Sequence, residues 1–479
     1  MDEDDDIPPL VSAADWALTP PDVRTAFLSL VEMVRDLSAR VHELEAQLKL
    51  TSRNSSKPPS SDPPSAPPKP PRVHRGKPKG AQVGHADQQR PLLPPDQVDE
   101  LVVCQPDLCP QCQTALTADL PDALPPTRHQ FTELPPILAV VTEYQCRTLS
   151  CPHCQHLARG VLPSDAPPGA FGPRLTALIG LLHGRYRHSA RETVSFLEEV
   201  CGVHISVGSV MRSCTRVSEA LAPVDHAIQE RIQADVRLWV DETSWREGTQ
   251  RGWLWLAVSS EARCFRIHAS RGQQALRELI GADYDGVVHS DRASVYHLLG
   301  NQQRQLCWAH IVRNWQGLVD AGHEQSIWAQ RMLEWSAELF AAWHAYQSGF
   351  YDQIALQQAL IPVRLALHEL LQIGARSAWD KLQATSQDLL QHWEALWTFS
   401  RIEGLEPTNN RAERGLRPAV IWRKSCYGTQ SALGSRFVER MLSVRATCEQ
   451  QGRKLFAILT EAVRAAWSGQ PVPSLFCTP

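Results

Sequence analysis

VRLWVDETSW, Val236–Trp245, is dense in β-branched and aromatic residues. GWLWLAVSS (252–260) and RCFRIHAS (263–270) repeat that texture, and turn residues or charges bound each run, as in short strands. GQQALRELIG (272–281) follows with helical spacing, and GVVHSD (286–291) reads as one more strand. Asp241 is expected at the end of the first strand and Asp291 at the end of the fourth.

Three strands, a helix and a fourth strand are the order of a ribonuclease-H-like core. The first and fourth strands of that core are neighbours, so the two aspartates are expected to face each other. A third acid comes from EPTNNRAERGLRP, Glu406–Pro418, where Glu413 stands among Arg411, Arg414 and Arg417. As a helix start, the stretch reads as Asn410 at the N-cap, with Glu413 reaching back as its capping-box partner. As a site, it reads as a carboxylate for a metal among guanidinium groups for phosphates. From Arg401 to Arg440 there are eight Lys and Arg against four Glu, including Arg423 and Lys424, so the third acid lies in a basic patch. Three converging carboxylates suit two Mg²⁺ (or Mn²⁺) ions, since hard cations prefer oxygen and phosphodiester chemistry uses such a pair.

Upstream, Phe27, Val34, Val41 and Leu48 take the a positions of a heptad whose d positions are Val23, Leu30, Leu37 and Leu44. A strict seven-residue repeat implies a supercoil, and β-branched a with Leu d favours a parallel pair, hence self-association. Residues 51–98 are Pro- and Ser-rich, with too little apolar surface to order, and carry Lys77 and Lys79 in an acid-free basic run suited to a polyanion. CPQC (Cys109, Cys112) and CPHC (Cys151, Cys154) are two knuckles of the kind that supply thiolates to a structural Zn²⁺, with a strand-like run between them. Cys104, Cys146 and His153 are alternative ligands nearby. Ala190–Leu221 reads as helix, glycine turn and helix, with Ser206 as N-cap, a shape shared by DNA-binding helix-turn-helices and plain helical hairpins. From 318 to 400 the chain is helical and rich in tryptophan, more in the manner of core filling than of base stacking.

The expected fold class is therefore multidomain α/β. A coiled coil (1–50), a basic linker (51–98), a zinc-binding module (99–165) and a helical DNA-binding region (166–232) precede the core. The ribonuclease-H-like core occupies 233–317 and 401–479, with a helical insertion at 318–400.

The chain resembles the insertion-sequence transposases of the sixty-six group. NSSKPPSSD (54–62), KGAQVGH (79–85), CPHC with FGPRLTALIGLLHG (171–184), VDET (240–243), HSDRASVY (289–296), CWAHIVRNW (307–315) and RKSCYGTQSALGSRFVERMLSVRATC (423–448) carry the likeness. It implies a DDE triad of Asp241, Asp291 and Glu413 on Mg²⁺, with His310 close by. Asn409, Asn410, Arg411 and Arg417 would orient Glu413 or contact DNA phosphates. Asp291 and Glu413 lie 122 residues apart, a distance that the insertion explains. The implied activity is cleavage at the inverted-repeat ends of a mobile element, followed by strand transfer into target double-stranded DNA. Accessory proteins of the same element are possible partners.

Basic and acidic residues nearly balance, 48 against 52, so whole-chain charge says nothing about a polyanionic partner and only the local patches do. The acidic start MDEDDD is unlike a signal peptide, and no membrane segment is expected. The expected setting is cytoplasmic and nucleoid-associated, where thirteen cysteines point to metal before disulfides. Two other classes remain open: a catalytically inactive, transposase-derived DNA-binding regulator, and a stand-alone metal-dependent nuclease.

Overall fold

A computed structural model of the chain describes residues 16, 18–48, 50–51, 53–55, 62, 91–163 and 166–476. Lys77, Lys79 and most of the basic linker lie outside the described residues. The chain divides into two units: Pro67–Val140 with Val200–Gly202, and everything else.

In the smaller unit the described stretch begins at 91 and carries one 3-10 turn, Pro95–Gln97. The stretch between the knuckles, read above as strand-like, makes one isolated antiparallel bridge, Ala115 to Leu108, and no strand before Thr148; a strand needs a run of partners, and most of its large apolar residues are exposed instead.

The larger unit opens with α1 (Pro21–Leu48). All eight heptad residues are exposed, from 38% at Phe27 to 78% at Leu48. The hairpin of β1 (Thr148–Ser150) and β2 (Leu157–Arg159) follows. Then come α2 (Pro173–Gly184), α3 (Ala190–Cys201), α4 (Val207–Ala220) and α5 (Ala222–Ala234). Gly202, at φ +63°, turns the chain between α3 and α4. Ser206 caps α4 by accepting from Ser209 N at 3.2 Å. Leu197, Val210 and Cys214 are buried.

The central sheet has the order β5-β4-β3-β6-β7. β3 (Arg237–Glu247), β4 (Gln250–Val258) and β5 (Arg263–His268) form an antiparallel meander; β6 (Val287–Ser290) lies parallel to β3, and β7 (Arg304–Leu306) parallel to β6. Helix α6 (Gln273–Ile280) makes the crossover and stops at Gly281, φ +102°. Thus β3 does not end at Asp241. It runs six residues further, because its hairpin with β4 outlasts its short pairing with β6.

Four longer helices follow, α7 (Trp308–Asp320), α8 (Ser326–Gln347), α9 (Gln353–Gly374) and α10 (Asp380–Gln391), and then a single helical turn at Thr398–Arg401. Trp343 and Trp397 are buried, while Trp328, Trp335, Trp379 and Trp393 are half-buried, so none stands out as a stacking platform. By length and composition α9 is the one described helix that would cross a membrane. It buries Leu356, Leu360, Leu367 and Leu371 and carries Arg364, as a packed helix does.

The chain ends in α11 (Asn410–Cys426), α12 (Ala432–Gln450) and α13 (Leu455–Ser468). Helix α12 closes the sheet edge. Glu439, Ser443 and Thr447, spaced by four, accept from the outward N–H groups of Ile267 (2.6 Å), Phe265 (2.9 Å) and Arg263 (3.1 Å) on β5. An edge strand that would otherwise offer unpaired donors is thereby satisfied by side chains.

Candidate active site

The register of β3 against β6 pairs Arg237 with Val287 and Trp239 with His289. Continued by two residues, it sets Asp241 level with Asp291 on the neighbouring strand, both on one face of the sheet. Asp291 follows the last residue of β6, and its Oδ1 accepts from Ala293 N at 2.8 Å, which turns the chain away from the sheet. Asp241 Oδ1 accepts from the N–H of Glu242 at 2.9 Å.

Glu413 arrives on α11, which lies across β3 and β4. Gly415 sits where a Cβ would be 2.6 Å from Leu256 Cδ2, and Leu256 is the residue opposite Asp241 on β4. The helix starts one residue earlier than a capping box requires. Asn409 is the N-cap and makes no side-chain cap; Asn410 is the first helical residue, and Glu413 N donates to Asn409 O at 3.1 Å. Asn409, 1% exposed, spends its side-chain amide on the carbonyl of Val240 at 2.8 Å, while its N–H donates to Cys307 Sγ at 3.1 Å. Trp308 N donates to Pro407 O at 2.9 Å. Tertiary bonds to β3 and α7 thus replace the local cap.

Electrostatics tie the acids together. Asp241 is held well above the usual carboxylate range, first by burial and then by the negative charges of Glu242, Asp291 and Glu413. Glu242 is raised too, by burial and then by Asp291. Its carboxylate accepts from Tyr296 OH at 2.6 Å and from Arg271 Nε at 2.7 Å. This fourth acid was missed in the sequence, where nothing local announces partners 29 and 54 residues away. Arg304, 1% exposed, donates to the main-chain carbonyl of Asp291 at 3.3 Å and places a cation beneath the site.

Glu413 Oε1 accepts from Arg313 Nη2 at 3.3 Å and lies 3.6 Å from His310 Nδ1, both on α7. Burial, then Arg313, depresses the basicity of His310. Cys307, His310 and Glu413 each offer a ligand atom within 4.8 Å of the others, but burial pushes the Cys307 thiol up to about 11 and keeps it neutral. On hard-soft grounds the oxygens of Asp241, Asp291 and Glu413 fit Mg²⁺ or Mn²⁺ better than that mixed set does.

The arginines of the third motif divide by role. Arg411 stacks over Trp239, its carbon 4.3 Å from the ring centroid, and pairs with Glu406 at 3.3 Å. Arg414 and Arg417 are exposed on α11, as is Lys424. Arg423 is anchored by bonds to Thr243 Oγ1 (2.9 Å) and Ser244 O (2.5 Å) near the far end of β3.

The two knuckles share one backbone design, each within its own unit. Gln113 N donates to Cys109 O at 2.9 Å and Gln155 N to Cys151 O at 2.8 Å, with the glutamines at φ +59° and +56°. The Cys112 thiol is lowered by its hydrogen bonds with Thr114, and that of Cys151 by the backbone N–H groups of Cys154 and His153. Such turns present thiolates as one half of a tetrahedral zinc site does.

The family model described as Transposase IS66 family matches residues 168–436, and that of a family of unknown function (DUF6444) matches residues 9–91. Two proteins of Sinorhizobium fredii are similar to the chain. Uncharacterized protein y4hP is 22% identical over 392 residues, 74% of this chain and 70% of its own length. Uncharacterized protein y4qI is 24% identical over 304 residues, 57% and 56% respectively.

Proposed function

Because the chain belongs to the transposase IS66 family, we propose that it binds the inverted-repeat ends of a mobile element and catalyses divalent-metal-dependent end cleavage and strand transfer. Asp241, Asp291 and Glu413 act as the DDE triad of a ribonuclease-H-like core. A three-stranded antiparallel meander continued by two parallel strands supports the fold. One observation carries the site: the β3–β6 register sets Asp241 level with Asp291, and Asn409, bonded to Val240 O at 2.8 Å, ties the helix of Glu413 to the same strand, although these acids lie 50 and 172 residues from Asp241 in sequence. Asp241 is raised there, first by burial and then by Glu242, Asp291 and Glu413. Burying like charges together is unfavourable unless a cation joins them.

Asp241, Asp291 and Glu413 would hold two Mg²⁺ or Mn²⁺ ions, whose chemistry would be to activate a water or 3′-hydroxyl and to neutralise charge on the leaving oxygen. The residues around them have separate tasks. Asn409 holds the start of α11 against β3, so Glu413 stays beside Asp241. Arg313 and His310 orient the Glu413 carboxylate, and Tyr296 and Arg271 fix Glu242 behind it. Arg414, Arg417, Arg423 and Lys424 hold DNA phosphates near the acids, with Arg411 contributing from its stack on Trp239; Lys77 and Lys79 add a salt-dependent contact. Helices α3 and α4 read duplex ends, the cysteine knuckles are stabilised by structural Zn²⁺, and α1 brings protomers together. Accessory proteins of the element remain part of this reading.

The test is Mg²⁺-dependent cleavage of a labelled DNA carrying the element's own end, with the intact protein and with Glu413→Gln. Cleavage by the first, and binding without cleavage by the second, supports the triad. Binding by both and cleavage by neither, with the element's other proteins supplied, points to a regulator instead; cutting without joining points to a nuclease.

A further inference from the structure

A second group of ligand-type side chains lies where the core meets the helices inserted into it. His297 belongs to the 3-10 turn Ser294–Leu298, which follows Asp291. Asp388 is in the last turn of α10, and His392 is its C-cap residue. One ligand atom from each of the three lies within 4.8 Å of the other two. Asp388 and His392 are four apart, so one helix face presents both. The two imidazole rings are 4.7 Å apart between centroids.

Three details favour a metal over a simple polar cluster. His392 Nδ1 lies 2.9 Å from the main-chain carbonyl of Asp388, an acceptor only, so this nitrogen carries the proton and Nε2 keeps its lone pair. Metal-ligating histidines are commonly held this way. Asp388 gives Oδ2 to Arg292, at 2.6 Å, and its Oδ1, 3.3 Å from the proton-bearing Nδ1 of His392, keeps a second lone pair for a cation. His297 is exposed while His392 is buried, which leaves an open side for water as a fourth ligand.

We propose that His297, Asp388 and His392 form a site for a divalent transition metal of the zinc class, separate from the DDE acids and from the cysteine knuckles. Two imidazoles and one carboxylate are a recurrent zinc ligand set. Bonds of about 2.0–2.2 Å bring the donors closer than they now stand, a movement that the exposed His297 side chain can make. Arg292 then acts as an outer partner of the ligating carboxylate. The bound metal would staple α10 to the segment that begins with Asp291, alongside the link that Arg292 already makes.

The experiment uses full-length protein stripped with chelator, titrated with Co²⁺ and Zn²⁺ in excess Mg²⁺, and compared with His297→Ala. His297 is exposed, so its removal should leave folding intact; Asp388→Asn, which keeps the side-chain shape, is the second variant. The intact protein is expected to bind one equivalent more than either variant. The difference spectrum with Co²⁺ should show a d–d band without thiolate charge transfer, and Zn²⁺ should raise the melting temperature of the intact protein more than that of His297→Ala. Equal stoichiometry in all three proteins, or a difference spectrum with thiolate character, overturns the proposal. Neither readout depends on DNA cleavage, so the outcome is independent of the triad.

Discussion

The side-chain amide of Asn409 donates to the carbonyl oxygen of Val240 at 2.8 Å. The residue before the helix that carries Glu413 is therefore bonded to the residue before Asp241. This one bond sets two acids distant in sequence at a constant separation. Asn409→Ala leaves a buried carbonyl without its donor, a loss of about 1–3 kcal/mol. The expected outcome is a lower melting temperature together with slower end cleavage at saturating Mg²⁺. Asn409→Asp, nearly the same shape but with no donor, should behave alike. Unchanged cleavage in both variants would remove the positioning role.

The raised Asp241 carboxyl gives a prediction with a definite sign. Its folded-state pKa lies above its unfolded value, through burial and then through Glu242, Asp291 and Glu413. The folded protein thus holds a proton that the unfolded chain releases. Metal-free protein should lose stability as pH rises from the ordinary carboxylate range through the raised value. Asp241→Asn removes that penalty. In chelator at neutral pH it should melt higher than the intact protein, by about 2–4 °C for each kcal/mol relieved. Cleavage should be lost at the same time, since active sites trade stability for function. A variant that melts lower at neutral pH but equally at acid pH would show that the acids are not in conflict.

What the sequence conveyed, and what it withheld, divides along the range of the interactions. The β texture around Trp239 and Val240 and the helical spacing of 272–281 are local, and the strands and helix are where they were expected. The turns at Cys109–Cys112 and Cys151–Cys154 follow from the local sequence alone, because Cys-Pro-x-Cys-Gln closes its own turn. Asn410 was misjudged as the N-cap because the competing partner of Asn409, Val240 O, is 169 residues away. The run of β3 past Asp241 and the role of Glu242 escaped for the same reason: partners on other strands and turns of the core decide both. Even the motif GSRFVERMLSVRATC gave no hint that Glu439, Ser443 and Thr447 would cap an edge strand, since a helix face with polar residues every fourth position ordinarily faces water.

The YGTQ turn after α11 makes a paired prediction with opposite signs. Gly428 has φ +114°, and a Cβ there would stand 2.2 Å from the carbonyl oxygen of Arg246. The turn lies against the β3–β4 hairpin through Thr429 N to Arg246 O (2.9 Å) and Gly248 N to Thr429 O (2.7 Å). Gly428→Ala should therefore destabilise by at least about 1–3 kcal/mol, the range for such backbone strain. Its neighbour Tyr427 ends the helix at φ +59° and is 81% exposed, so it loses little contact if removed. Tyr427→Gly should stabilise by up to about 1–2 kcal/mol, the left-handed penalty of a side chain. Urea midpoints that move in the same direction for both would refute the argument.

Helix α1 makes the last prediction. Its eight heptad residues, Val23 to Leu48, are all at least 38% exposed in the single chain. An apolar stripe of that length on one helix is unfavourable in water, and burying each Leu or Val against a partner yields about 1.5–3 kcal/mol. A second copy of the chain would supply a matching stripe, because the same a and d pattern is self-complementary in parallel. Leu30→Glu with Leu37→Glu puts charge at two d positions that would face their own copies. Sedimentation of the full-length protein should then show a smaller species than the unaltered chain, with the change reversed at low pH as the glutamates protonate. Equal mass for both proteins at neutral pH would mean that α1 is not the assembly contact and that its stripe is covered by something other than another copy of itself.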